Sequence, residues 1–279
     1  LAEDPVGFVH WAIPWGQANT PFAGLSGPRS WQLKELDEIG KHVRAQRDKQ
    51  DIGVELDVWR SSYASGRGPG KSALFGMVAL WHASTHLGST TTVTANTESQ
   101  LRQKTFPEFA KWFGASLNAH WWSIETMRIV PAPWLLDLVR KLPEEGGLGV
   151  EPKYWFVQGA TWSEENPHAF AGTHNPYGLL LLMDEASGIH SSVWDVSEGF
   201  FTEINPYRFW LAASQLRVRN GRMFELYDDP KVGKGWRTIT LSTRGMEGVD
   251  QALIRSQIER YGADSDFVRV EIDGLPPRT

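Results

Sequence analysis

The sequence predicts an α/β fold in which a central, mostly parallel sheet is flanked by helices and joined by a small lid. Three observations carry that expectation. Short β-branched or aromatic runs alternate with amphipathic stretches, the order expected of βαβ units. A glycine-rich loop, Ser65-Gly66-Arg67-Gly68-Pro69-Gly70-Lys71-Ser72, stands where one such run gives way to a helix. An unbroken apolar run, Leu179-Leu180-Leu181-Leu182-Met183, ends in the carboxylates Asp184-Glu185, the form of a strand buried on both faces.

Taken in order, residues 1–28 are rich in Gly, Pro and aromatics without a sustained period and read as an irregular wrapping segment. From Pro28-Arg29-Ser30 onward, Leu36, Ile39 and Val43 recur at helical spacing after Trp31, so an amphipathic helix is expected to about Lys49. Strands are expected near 57–64, 90–95, 121–130, 154–160, 178–184, 207–213 and 236–241. Helices are expected near 71–87, 97–114, 132–142, 221–228 and 249–261. Two loops interrupt the alternation, around Pro143 to Val150 and Trp162 to Tyr177. Residues 1–228 are expected to hold the core, and residues 229–279 a lid and linking segment.

Composition narrows the function classes. The chain of 279 residues is 41% hydrophobic and 22% charged, an ordinary globular mixture and neither disordered nor low-complexity. It has no cysteine, which excludes disulfides, Cys-ligated zinc, iron–sulfur clusters and thiol nucleophiles within these residues. The longest apolar run falls far short of the roughly 20 residues of a membrane helix, and the start of the sequence shows no basic-then-apolar signal pattern. The net charge of −5 means that nucleic acid must be met by a local basic patch rather than by the field of the whole molecule. Fourteen tryptophans are an excess. Those on predicted elements, such as Trp81, Trp112, Trp155 and Trp210, read as packing residues.

The chemistry lies in the loop and the carboxylates. Glycines at a strand-to-helix junction let backbone N–H groups curl around an anion, and the following helix N-terminus adds its dipole. On that reading Ser65 to Ser72 bind ATP, Lys71 reaches the β- and γ-phosphates, and Ser72 coordinates Mg²⁺. The usual pattern has glycine where this chain has Ser65. The alternative, a glycine-rich turn capping a helix, leaves the Gly-Lys-Ser ending unexplained. Asp184 then holds the metal and Glu185 polarises the attacking water; alone, the pair also fits a plain strand end. Arg67 either stabilises charge on the γ-phosphate or faces solvent. Together the motifs define a P-loop NTPase, RecA/ASCE-like, with ATP and Mg²⁺ as its cofactors.

These residues resemble the large terminase subunits of tailed phages and prophages, ATPases that drive genome packaging. The likeness runs from the Trp31-Gln32 pair, similar to the adenine-recognising glutamine of those proteins, through the Walker A loop with its arginine and through Val93-Thr94-Ala95-Asn96-Thr97-Glu98-Ser99-Gln100. It continues in Trp162-Ser163-Glu164-Glu165-Asn166-Pro167 with Ala169-Phe170-Ala171-Gly172 and His174, in the Walker B stretch to Ile189, and in Tyr261-Gly262 with Ser265 to Val270. The resemblance implies an ATPase that moves double-stranded DNA into a procapsid in the host cytoplasm. It also implies as partners the portal protein ring, the small terminase subunit and further copies in a ring on the portal, with a monomer possible in isolation and no membrane.

Departures from the family are equally specific. Where a Gly-Asn-Pro type coupling motif is common, this chain has Ser214-Gln215-Leu216, with Gln215 one methylene longer than asparagine. No arginine lies between Ala160 and Tyr177, so the in-cis role falls to Arg67 and a trans-acting arginine stays unassigned. After Val270 only Glu271 and Asp273 are acidic, so nuclease activity is expected to be missing from this chain. A different class of function, an assembly module docking on a portal with little activity alone, fits the substituted coupling motif. A two-domain helicase-like translocase does not fit the length.

Weaker signals complete the reading. His82 and His86, spaced four apart, read as a pair favoured by a helix C-terminus rather than as zinc ligands. Lys41, Arg44, Arg47, Lys49, Arg102, Lys104 and Lys111 read as solvated helix faces, with DNA phosphates as the alternative. Arg244 either approaches the nucleotide from the lid or lies on the surface, and Trp31 is the candidate for a base contact.

Overall fold

The computed structural model describes residues 1–170 and 174–278. Helices α1 (Pro5–Ala12) and α2 (Ser30–Asp51) precede strand β1 (Trp59–Ser65), helix α3 (Lys71–Thr85) and strand β2 (Thr90–Ala95). A composite helix follows, made of α4 (Glu98–Gln100), a π-helical turn (Leu101–Thr105) and α5 (Phe106–Ala115). Next come the hairpin β3 (Trp122–Glu125) and β4 (Arg128–Pro131), helix α6 (Pro133–Arg140), and strands β5 (Phe156–Gly159) and β6 (Leu179–Asp184). Helix α7 (Ser191–Ser197), strand β7 (Arg208–Ser214), helix α8 (Arg222–Asp228), strand β8 (Arg237–Leu241) and helices α9 (Gln251–Tyr261) and α10 (Asp266–Glu271) complete the order.

The strands form one sheet in the order β3-β4-β5-β2-β6-β7-β1-β8. From β5 to β8 every neighbouring pair is parallel, and β4 alone runs against the rest, antiparallel to both β5 and β3. This is the α/β architecture expected from the alternation. Strand β6 shows why helices cover both faces. Leu180 and Leu182 enter the core under α1, α2, α3 and α5, whereas Leu179, Leu181 and Met183 enter a second core under α7 and α8. Each fully buried leucine contributes about 1.5–3 kcal/mol, so the strand is held from both sides.

Register places the chemistry. Asp184 pairs with Ala95 and Ala213, and Ala64 pairs with Ser214, so the phosphate loop and the carboxylates emerge at the same edge of the sheet. Strand β7 lies between β1 and β6, which separates loop and carboxylates by two strand spacings, about 10 Å. The C-terminal edge of parallel strands is where α/β folds bind ligands.

Several expectations need correction. Residues 121–130 form a tight hairpin and not one strand, because Met127 turns the chain with φ at +61°. The helix expected over 97–114 is interrupted by the π turn. Residues 1–28 contain α1, whose Asp4 side chain caps Gly7 N–H ahead of Pro5. Helices α7 and α10, of 7 and 6 residues, are too short to show a period in the sequence and add to the expected elements. Strand β8 lies in the segment expected to form the lid, yet it pairs with β1 as part of the sheet. Ala171 and Gly172, part of the family resemblance, lie outside the described residues.

Trp81, Trp112, Trp155 and Trp210 are buried, as their positions on regular elements suggested. His82 and His86 are buried too, stacked on each other with ring centroids 5.1 Å apart. They are not the cationic helix end that their spacing suggests: burial pushes both imidazoles below their usual range, His86 to about 3, so the pair is neutral. Among the described residues no helix is long and apolar enough to cross a membrane.

Candidate functional site

The loop between β1 and α3 borders a cleft of ≈ 370 Å³ lined by Gly66 to Ala73 together with Glu108, Glu185 and Gln215. Gly68 and Gly70 adopt positive φ (78° and 92°), and α3 begins at Lys71 with no side-chain cap. The first-turn N–H groups of α3 are therefore left to an anion in the cleft. Lys71 Nζ donates to Ser65 Oγ at 2.8 Å, so the serine in place of glycine parks the lysine beside the cleft. Burial lowers the Lys71 pKa, while Glu185 and Asp184 pull it back up, which shows that loop and carboxylates share one field.

Asp184 is 4% exposed and accepts from its neighbour's backbone, Glu185 N–H to Oδ1 at 3.1 Å. Glu185 holds φ at +49°, a conformation that costs a side-chain-bearing residue about 1–3 kcal/mol and that concentrates at functional sites. Its carboxylate lines the cleft and accepts from Ser214 Oγ at 3.4 Å, and Ser214 in turn bonds Ser187 Oγ at 2.6 Å. The expected coupling position Ser214 thus touches the expected base directly.

Sequence reasoning missed Glu271. Its side chain, 12% exposed, sits at the end of α10 among three nitrogen donors: Arg67, Gln215 Nε2 at 3.0 Å and Arg217 at 3.6 Å. Arg67, a candidate phosphate ligand, is therefore held at the cleft edge by an ion pair, and its N–H donates to Glu271 O at 2.8 Å. Gln215 also accepts from Arg217 at 2.7 Å through its Oε1. No pattern in one sequence marks an acid so far from the loop. The backbones meet as well: a Cβ on Gly66 would lie 2.4 Å from Ile272 O and 2.8 Å from Glu271 O. We expect Gly66→Ala to push the 271–272 segment off the loop and to lower stability by about 1–3 kcal/mol, measurable by urea unfolding.

An apolar cavity of ≈ 150 Å³ adjoins the loop, walled by Trp15, Phe22, Leu25, Arg29, Gln32 and Trp112. Gln32 is thus placed as expected, although both ends of its amide are engaged. Oε1 accepts from Arg29 N–H at 2.8 Å and Nε2 donates to Gly70 O at 2.7 Å, which ties α2 to the loop. Trp31 is not in the cavity wall. Its Nε1 donates to Pro69 O at 2.9 Å, supporting the loop from outside, since adjacent helical residues point about 100° apart. Aromatic walls come instead from Trp15 and Phe22 in the segment read as irregular, and from Trp112 on α5.

No family model matches the chain. In sequence it is similar to a probable terminase large subunit of Enterobacteria phage P7, 22% identical over 247 residues, 86% of this chain and 47% of that protein. The chain therefore spans about half the length of the curated relative it matches. In structure it is similar to the ATPase domain of the large terminase of Thermus phage P74-26, with TM-score 0.51 at 13% identity over 82% of this chain and 97% of that one. The fold is that of a large-terminase ATPase domain. It is also similar to the large terminase of a thermophilic bacteriophage in complex with ADP, with TM-score 0.57 at 12% identity, over 88% of this chain and 53% of that one.

On this terminase-type ATPase fold, the remaining candidates take ordinary places. Lys41 pairs with Asp37 and Glu38, Arg44 donates to Glu3 O, Arg47 pairs with Glu3, and Lys49 with Asp57. Arg102 pairs with Glu98 and Lys111 with Glu108. All but Arg44, which meets a backbone carbonyl, pair from helix faces with carboxylates. Arg244 grips Asp273 with two bonds, at 2.5 and 2.9 Å, and is not among the residues lining the phosphate cleft.

Proposed function

We propose that this chain is an ATPase region of a viral genome-packaging motor, coupling Mg²⁺-dependent ATP hydrolysis to translocation of double-stranded DNA into a procapsid. The observation that carries the reading is the meeting, on a large-terminase ATPase fold, of an uncapped helix N-terminus in a glycine loop with Asp184 and Glu185 two strands away. An apolar cavity suited to a base adjoins the same loop. Terminase neighbours, one of them in complex with ADP, support nucleotide binding.

The donor set fits Mg²⁺. Ser72 and Asp184 offer hard oxygen ligands, and among the described residues no cluster of three or more His, Asp or Glu competes for the ion. One or two protein oxygens, with phosphates and water completing the shell, is the usual way this ion is held. When bound there, Mg²⁺ neutralises charge on the phosphates.

The chain's own groups then divide the work. Lys71 leaves Ser65 for the β- and γ-phosphates, and the backbone N–H groups of Gly68, Gly70, Lys71 and Ser72 cradle them, those of Gly66 and Arg67 being engaged by Leu241 O and Glu271 O. Arg67 reaches the γ-phosphate by exchanging or sharing Glu271. Glu185 accepts the proton of the attacking water, oriented by Ser214. Gln215, bonded to Glu271, links that event to the lid, which we place in the segment after β8. Double-stranded DNA, the portal ring, the small terminase subunit and neighbouring copies in a ring are the partners this role requires.

One feature favours a second reading, an assembly module with low activity alone: Arg67 is engaged by Glu271 and not free in the cleft. Phosphate release measured across protein concentration, with and without Mg²⁺ and double-stranded DNA, separates the two. We expect Mg²⁺-dependent hydrolysis with constant specific activity. A specific activity that climbs steeply with concentration supports the assembly reading, and no hydrolysis at any concentration overturns the ATPase reading.

A further inference from the structure

The π turn before α5 has a local cause. Pro107 carries no N–H and its ring clashes with the carbonyl four residues back, so the helix cannot pass through this point with ordinary spacing. The chain instead widens by one residue, with Phe106 N–H reaching Leu101 O. Such single-turn insertions recur at functional sites. Here the wide turn presents Thr105, 2% exposed, to the end of β6, where its Oγ1 donates to Asp184 Oδ2 at 2.6 Å. The other carboxylate oxygen already accepts from Glu185 N–H. Each oxygen of Asp184 is thus held by one protein donor, and two donors on separate elements fix the plane of the carboxylate. The lone pairs left over have defined directions.

We propose that Thr105 is a positioning residue for the metal-binding carboxylate Asp184. This rests on the ATPase reading above. A threonine does this better than a longer polar residue, because its β-branched side chain has few rotamers and keeps the hydroxyl aimed. The same helix continues with Glu108, which lines the phosphate cleft, and Trp112, which walls the base cavity, bonded to each other at 2.9 Å. Outer-shell partners of a metal ligand typically change metal affinity about 10–100-fold when removed.

Thr105→Val removes the donor and keeps the shape, Thr105→Ser keeps the donor, and Thr105→Ala serves if valine disturbs packing. Two measurements are needed: the Mg²⁺ concentration for half-maximal hydrolysis, and the thermal shift produced by ADP with and without Mg²⁺. We expect Thr105→Val to raise the Mg²⁺ requirement about tenfold and to shrink only the Mg²⁺-dependent part of the ADP shift. Thr105→Ser should restore both. An unchanged Mg²⁺ requirement and ADP shift in Thr105→Val and Thr105→Ala, or a serine variant as impaired as valine, overturns the proposal. If the unsubstituted chain shows no hydrolysis, the ATPase reading fails while the Mg²⁺-dependent ADP shift still decides the role of Thr105. If that shift is also missing, both readings fall.

Discussion

Glu185→Gln is expected to cut ATP turnover by about 10²–10⁴-fold, the usual worth of a positioned general base, while ATP affinity stays within a few-fold. The substitution keeps size and the bond from Ser214 Oγ, so the shape of the cleft survives. What it loses is the ability to take a proton from water. The left-handed backbone at this residue turns the side chain out of the strand and into the cleft. Neighbouring Asp184 has both oxygens held by donors and stays in place, which in the proposed mechanism leaves metal holding to Asp184 and proton acceptance to Glu185. Turnover from phosphate release and affinity from a fluorescent ATP analogue check the result. Undiminished turnover in the variant would remove Glu185 from the mechanism.

The second large effect is on stability. His82 and His86 are neutral in the fold because burial opposes their charged forms, and His82 is further disfavoured by His86. In the unfolded chain both titrate near 6.5. Above that pH neither state binds the proton and nothing is lost. Below it the unfolded chain takes up protons that the fold refuses, so stability falls as pH drops from about 6.5 toward the depressed folded values. One pH unit below 6.5, each costs up to about 1.4 kcal/mol, a sizeable share of a net stability of about 5–15 kcal/mol. Partly buried His42, depressed to about 4 by desolvation, adds in the same direction. Urea unfolding between pH 7.5 and 5 should show the slope, and His86→Phe should remove about one proton from it. An unchanged slope in that variant would remove His86 from the acid sensitivity and leave it to the other titrating groups, His82 and His42 among them.

The strands were legible because each is a short, strongly apolar or β-branched run, and a strand buried on both faces leaves that mark in sequence. The loop and Asp184-Glu185 were legible because phosphate chemistry demands glycines, a lysine and adjacent acids at fixed offsets. Less was readable where contacts join distant segments. Glu271 bears no local signal, and its meaning depends on α10 docking beside the loop. Trp15 and Phe22 lie in a stretch without period, although Asp4-Pro5 marked a helix start there. Thr105 stood within a helical pattern, and its one available cue was Pro107, a residue that no regular helix interior accepts without adjustment.

Strand β1, which carries the phosphate loop, is flanked by β7 and β8, both from the last third of the described chain. The backbone groups of β1 therefore wait for partners that leave the ribosome long after the loop itself. Non-local pairing of this kind slows folding, because loop-closure entropy must be met before the contacts reward it. Gly66 N–H is satisfied by Leu241 O and Arg67 N–H by Glu271 O, so the loop takes its final shape only once those residues have been made. A nascent chain holding every residue of the glycine-rich motif is still unable to form its cradle. On the proposed function, nucleotide binding would report that synthesis has reached the end of α10, and ligand-dependent protease resistance of stalled chains would be a direct clock for the assembly of this fold.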